Sequence, residues 1–128
     1  MLKAGDTVLM PKDLDSTPHL WIISTDPDAS RHVVIVNVTT LRPHSDRTTI
    51  LKRGDHPYIE HDSVVFYADA RIVDSANVEN LVRLKGDLAI QCDACSDELL
   101  QRVRGGLLDS ENTPNKVLAY CKAQWNLG

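Results

Sequence analysis

The 128-residue sequence predicts a mainly β chain with C-terminal helices, an α+β arrangement in which helices pack against a small curled sheet. Three observations predict this class. His32 to Thr39 (His-Val-Val-Ile-Val-Asn-Val-Thr) is a run dense in β-branched side chains. About five short runs of strand character fill the first two-thirds, separated by turn residues. The last third instead carries apolar residues at helical spacing.

The elements follow in order. Asp6 to Met10 reads as a short strand after the Gly5-Asp6 turn signal, ended by Pro11. Residues 12–18 form a polar loop, and His19 to Ser24 is a second, strongly apolar strand. Asp26-Pro27-Asp28 marks a turn. The continuous apolar run from His32 implies burial on both faces or a barrel wall. After a polar loop at 41–47, Thr48 to Leu51 reads as a short strand. Lys52 to His61 is a polar connection, and Ser63 to Tyr67 with Ala70 to Val73 forms a bent strand pair. Val78, Leu81 and Val82 predict a helix from Asn77 to Leu84. Ser96 is a helix cap, with Asp97 and Glu98 in the first turn where the dipole favours acids. Gly105-Gly106 reads as the end of that helix. Thr113-Pro114 opens a last helix with Val117, Leu118, Cys121 and Trp125 on one face.

The length suits one domain over residues 1–128, with the sheet at about 4–75 and the helical part at about 76–128. No apolar run is long enough to cross a bilayer, and Met1 to Met10 lacks the pattern of a signal peptide, so a soluble cytoplasmic protein without membrane contact is expected. Three cysteines, Cys92, Cys95 and Cys121, fit reduced thiols. The net charge of −4 argues against a dedicated nucleic-acid-binding protein, because phosphate neutralisation supplies much of such affinity. It argues less against a nuclease, which needs only a local basic groove and must release its product.

Four segments resemble the PemK/MazF family of bacterial toxins in a divergent branch. Gly5-Asp6-Thr7-Val8-Leu9 resembles the family's Gly-Asp opening strand, and His19-Leu20-Trp21-Ile22-Ile23-Ser24 its Arg-Pro-Ala strand. Val36-Asn37-Val38-Thr39-Thr40 is similar to the strand that ends in two hydroxyl residues. Ser63-Val64-Val65 through Asp69-Ala70-Arg71-Ile72-Val73 resembles the strand with the Asp-Gln motif. The likeness spans roughly residues 4–75; the helices from Ser96 onward match nothing closely. It implies an SH3-like β-barrel, a homodimer, and metal-independent cleavage of single-stranded RNA as the toxin of a type II toxin–antitoxin system. It also implies a cognate antitoxin that blocks the RNA groove. The family's catalytic hydroxyl falls on Thr39, its aspartate on Asp69, and its catalytic arginine on His19. An arginine of some members, two residues before the aspartate, falls on Tyr67.

Cleaving RNA without a metal uses the ribose 2′-OH as nucleophile. It requires a base for that proton, an acid for the leaving 5′-oxygen, and donors for the charge on phosphorus. Histidine suits the first two tasks because its ordinary pKa lies near neutrality. Arginine suits the third, since its planar fork holds two phosphate oxygens. His19, Thr39 and Asp69 are therefore the catalytic candidates, and Thr40, Arg42, His44, His56, Tyr67 and Arg71 the substrate-binding ones. His61 and His32 read as ordinary surface residues. The Cys92-x-x-Cys95 pair lacks a clear set of four ligands for zinc and a βαβ context for redox work, so no cofactor or metal is expected. A non-catalytic binding module of the same fold is the alternative to the toxin, and the replacements at His19 and Tyr67 favour it.

Overall fold

The computed structural model describes residues 1–13 and 17–127; residues 14–16 of the expected polar loop lie outside them. Its elements are β1 (Thr7–Pro11), β2 (Pro18–Ile23), β3 (His32–Thr40), β4 (Ile50–Leu51), β5 (Ser63–Val65), β6 (Arg71–Asp74), α1 (Ser75–Leu84), β7 (Ile90–Cys92), α2 (Asp97–Asp109) and α3 (Asn115–Gln124). A single 3₁₀ turn, Tyr67–Asp69, separates β5 from β6. The described residues thus form an α+β fold: a seven-stranded antiparallel sheet with three helices.

The sheet is organised around β3. One edge of β3 pairs with β2 through Leu20↔Val38 to Ile23↔Ile35. The other edge is shared: β5 takes its C-terminal end, Val38↔Val65 to Thr40↔Ser63, and β6 takes its N-terminal end, His32↔Asp74 to Ile35↔Arg71. The order along the sheet is β4-β5-β3-β2-β1-β7, with β6 off that path. Among the described residues the ladder therefore ends on β4 at one side and β7 at the other, and does not close into a barrel. The apolar run in β3 has another cause. Val34, Val36 and Val38 join a core with Leu99, Val103 and Leu107 of α2 and Val117 of α3. Val33 and Ile35 join a second core with Trp21, Ile23 and Val78 of α1. A strand covered on both faces reads as a continuous hydrophobic run, and so does a barrel wall.

The helix caps follow the local chemistry. The Ser96 hydroxyl accepts from the Leu99 N–H at the start of α2, and the Asp74 carboxylate accepts from the Ala76 N–H at the start of α1. Pro114, expected inside the last helix, stands at its cap instead. The Gly105-Gly106 pair does not end α2, which runs on to Asp109. Gly106 is a packing residue: a Cβ there would come within 1.8 Å of the Tyr67 hydroxyl and 2.5 Å of Thr49 Oγ1. The absent side chain lets α2 cross directly over Tyr67. β7 forms where no strand was expected, pairing Ile90, Gln91 and Cys92 with Leu9, Val8 and Thr7 of β1.

Candidate active site

β3 carries Thr39 and Thr40 to its C-terminal end, where the paired strands deliver other reactive groups. In β2, His19 precedes Leu20, the partner of Val38. Its ring sits beside β3, with Nδ1 3.3 Å from the Val38 carbonyl oxygen. A carbonyl oxygen only accepts, so Nδ1 is the donor in this contact, and in the neutral ring the lone pair then lies on Nε2. In β5, Ser63 pairs with Thr40, and the turn before it brings His61 alongside. His61 Nε2 lies 3.0 Å from Thr40 Oγ1. His19, Thr39, Thr40 and His61 all line one cavity of about 210 Å³, together with Tyr58 and Glu60.

Thr39 and Thr40 also line a second cavity, of about 440 Å³, on the neighbouring side of the strand end. Lys12, Arg42, His44 and Phe66 form much of its wall. The Lys12 ammonium stands 4.6 Å from the Phe66 ring centroid, and 37 % of Phe66 is exposed. An exposed aromatic face beside cations is a surface on which a base can stack while its phosphate is neutralised. The loop bearing Arg42 and His44 is fastened from below. Asp46 accepts hydrogen bonds from Ser110 (2.6 Å), Thr48 and Asn112. Burial pushes the Asp46 carboxyl up, but these donors outweigh it and hold the group below its ordinary value.

The remaining predicted site residues have other surroundings. Asp69 lines neither cavity. Its carboxylate accepts from Asn37 Nδ2 at 2.8 Å and Arg71 Nη2 at 3.0 Å, and pairs with Lys12 Nζ at 3.2 Å. Burial raises the Asp69 pKa, but the Arg71 and Lys12 contacts prevail and the net shift is downward. An anion so well satisfied is a poor base and a good anchor. Arg71 is stacked 5.0 Å from the Trp21 ring centroid, which keeps it beside Asp69. Tyr67 is fully buried, donating to the Val103 carbonyl at 3.0 Å and meeting Thr49 Oγ1 at 2.6 Å. Burial pushes its phenol well above the ordinary value. His56 is also buried: Nδ1 accepts from the Tyr58 N–H at 3.0 Å, and Nε2 therefore donates to the Asp93 carbonyl at 2.7 Å. Both ring nitrogens are committed to holding the 52–62 connection against the end of β7.

Among the cavity residues that escaped the sequence reading are Lys12, His61 and Phe66. His61 looked like a surface histidine, and it is exposed, but the β3–β5 register sets it against Thr40. Phe66 follows the last residue of β5 and gave no signal beyond being an aromatic in a strand. The cysteines serve packing. Cys121 is buried in the core under α2 and α3, and Cys92 and Cys95 lie against the same core. Burial raises the Cys121 thiol to about 11 and shifts Cys95 in the same direction. Among the described residues no three or more His, Cys, Asp or Glu side chains are grouped to hold a metal ion. Among the described residues no helix is long and apolar enough to cross a membrane. No protein-family model matches the chain, and no curated protein matches it.

Proposed function

We propose that this chain is a metal-independent endoribonuclease of the PemK/MazF type, the toxin of a type II toxin–antitoxin pair, which cuts single-stranded RNA. On this reading the curled part of the sheet is an open variant of the SH3-like barrel. The protein works in the cytoplasm as a homodimer, and an antitoxin covers its groove. The observation that carries the reading is the cavity at the end of β3. It joins His19 to Thr39 and Thr40 at the end of the strand, next to a wall of Lys12, Arg42 and Phe66. His19, with its lone pair on Nε2, takes the proton of the ribose 2′-OH. Thr39 and Thr40 donate to the non-bridging oxygens as charge builds on phosphorus. Arg42 holds a flanking phosphate, and a base lies on the exposed part of Phe66.

The test is cleavage of labelled single-stranded RNA by the purified protein in EDTA, with growth arrest on induction in cells. The reading expects products ending in a 2′,3′-cyclic phosphate and a 5′-hydroxyl, and a loss of about 10²–10⁴-fold in His19→Ala. Intact RNA and unaffected growth would refute it. A second reading, a binding module without cleavage, is favoured by one observation: Asp69 and Arg71 are held by Asn37, Lys12 and Trp21 as a scaffold. RNA retained but uncut would select it.

A further inference from the structure

Cleavage at this site needs a proton for the departing 5′-oxygen, and His19 cannot supply it while acting as the base. We propose that His61 is the second catalytic residue, the general acid that protonates the leaving group. This inference rests on the ribonuclease reading above.

The geometry supplies the argument. His61 and His19 line the same cavity from different strands: His19 from β2, His61 from the connection entering β5, with the end of β3 between them. A cleavage centre that moves two protons in opposite directions needs two groups on opposite sides of one phosphorus. His61 Nε2 lies 3.0 Å from Thr40 Oγ1. When His61 carries its proton, Nε2–H donates to Thr40, and the threonine hydroxyl is left to donate onward to a phosphate oxygen. The same contact fixes the ring and leaves Nδ1–H for the substrate. His19 complements it: Nδ1 donates to the Val38 carbonyl, so the neutral ring has its lone pair on Nε2. Glu60 and Tyr58 are the other ionisable groups in the cavity wall.

The step balances. The 2′-oxygen bonds to phosphorus and its proton passes to His19. The P–O5′ bond breaks, and the His61 proton goes to O5′. The products are a 2′,3′-cyclic phosphate and a 5′-hydroxyl, with no oxidant, reductant or metal consumed.

A leaving group that needs no proton provides the test. Once the wild-type cut site is mapped, two oligonucleotides are compared, one with the natural 5′-oxygen at that step and one with sulfur in its place. His61→Ala should cut the oxygen substrate about 10²–10⁴-fold more slowly and the sulfur substrate at near the wild-type rate. His19→Ala should be slow on both. The His61 side chain is exposed, so the variant should keep the wild-type melting temperature, which is measured alongside. Equal slowing of His61→Ala on both substrates, unimpaired cleavage of the oxygen substrate, or sulfur rescue of Glu60→Gln in place of His61→Ala would each overturn the assignment while leaving the ribonuclease reading intact. Failure of the wild-type protein to cut RNA would overturn both.

Discussion

Replacing Gly106 with alanine drives a methyl group into space already filled by Tyr67. The new Cβ would lie 1.8 Å from the tyrosine hydroxyl, 2.4 Å from Cζ and 2.5 Å from Thr49 Oγ1. Tyr67 cannot swing away, because it is fully buried and its hydroxyl meets both Thr49 and the Val103 carbonyl. Either α2 lifts off the sheet or the tyrosine loses those partners. Overpacking of a tight core costs roughly 1–3 kcal/mol. Leaving a buried polar group unpaired costs a further 1–3 kcal/mol, roughly. The gain from alanine over glycine inside a helix is only about 1 kcal/mol. The net expectation is a loss of about 3 kcal/mol, with the sign set by the clash. The neighbouring glycine is the control. A Cβ on Gly105 meets nothing within 4 Å, so Gly105→Ala should raise stability by up to about 1 kcal/mol. Urea denaturation of the two variants at neutral pH, followed by tryptophan fluorescence, measures both. Equal stabilisation by the two substitutions would refute the packing of α2 on Tyr67, and would return Gly105-Gly106 to the role of a helix end.

Two further outcomes follow from the carboxylates near the site. The Asp69 carboxyl is held below its ordinary value of 3.8, so the unfolded chain binds this proton more tightly than the folded one. Its contribution to stability is complete above the unfolded value and disappears as pH falls through the depressed folded value. Asp69→Asn should therefore be less stable than wild type near pH 7, with the gap in denaturation midpoints closing as pH falls below the ordinary carboxylate range; a gap that stays constant would show that the carboxylate charge is not what anchors Arg71 and Lys12. Asp46→Ala should release the 41–47 loop from Ser110 and Asn112, seen as faster amide exchange there with little change in global stability; undiminished protection would show that the loop is held by other contacts.

Much of the sheet was legible because its signals are local. The β-branched run at 32–39, the apolar run after His19 and the Gly5-Asp6 turn place β1, β2 and β3 within a residue or two of their observed bounds. Ser96 was legible as a cap because capping is a contact over three residues. Of the residues the sequence singled out, His19, Thr39, Thr40, Arg42 and His44 line the two cavities, each lying on or beside the strand ends that carry the resemblance. Tyr67 and His56 were singled out for chemistry, yet both side chains are spent on buried hydrogen bonds. Nothing in the residues around them distinguishes a buried partner from an open one.

The sequence by itself determined that the first six strands precede the helices, which residues are apolar enough to be core, and that β3 must be covered on both faces or sit in a wall. Periodicity is a property of neighbours along the chain, so these features needed no fold. The tertiary structure alone decided that α2 and α3 cover one face of β3 while α1 covers the other, with the ladder open. It decided that β7 joins β1 across more than eighty residues, and that Gly106 serves the tyrosine beneath it. It also set His61 beside Thr40 and in one cavity with His19. Each of these depends on register between segments far apart in the chain, where a shift of one residue would turn every side chain to the opposite face.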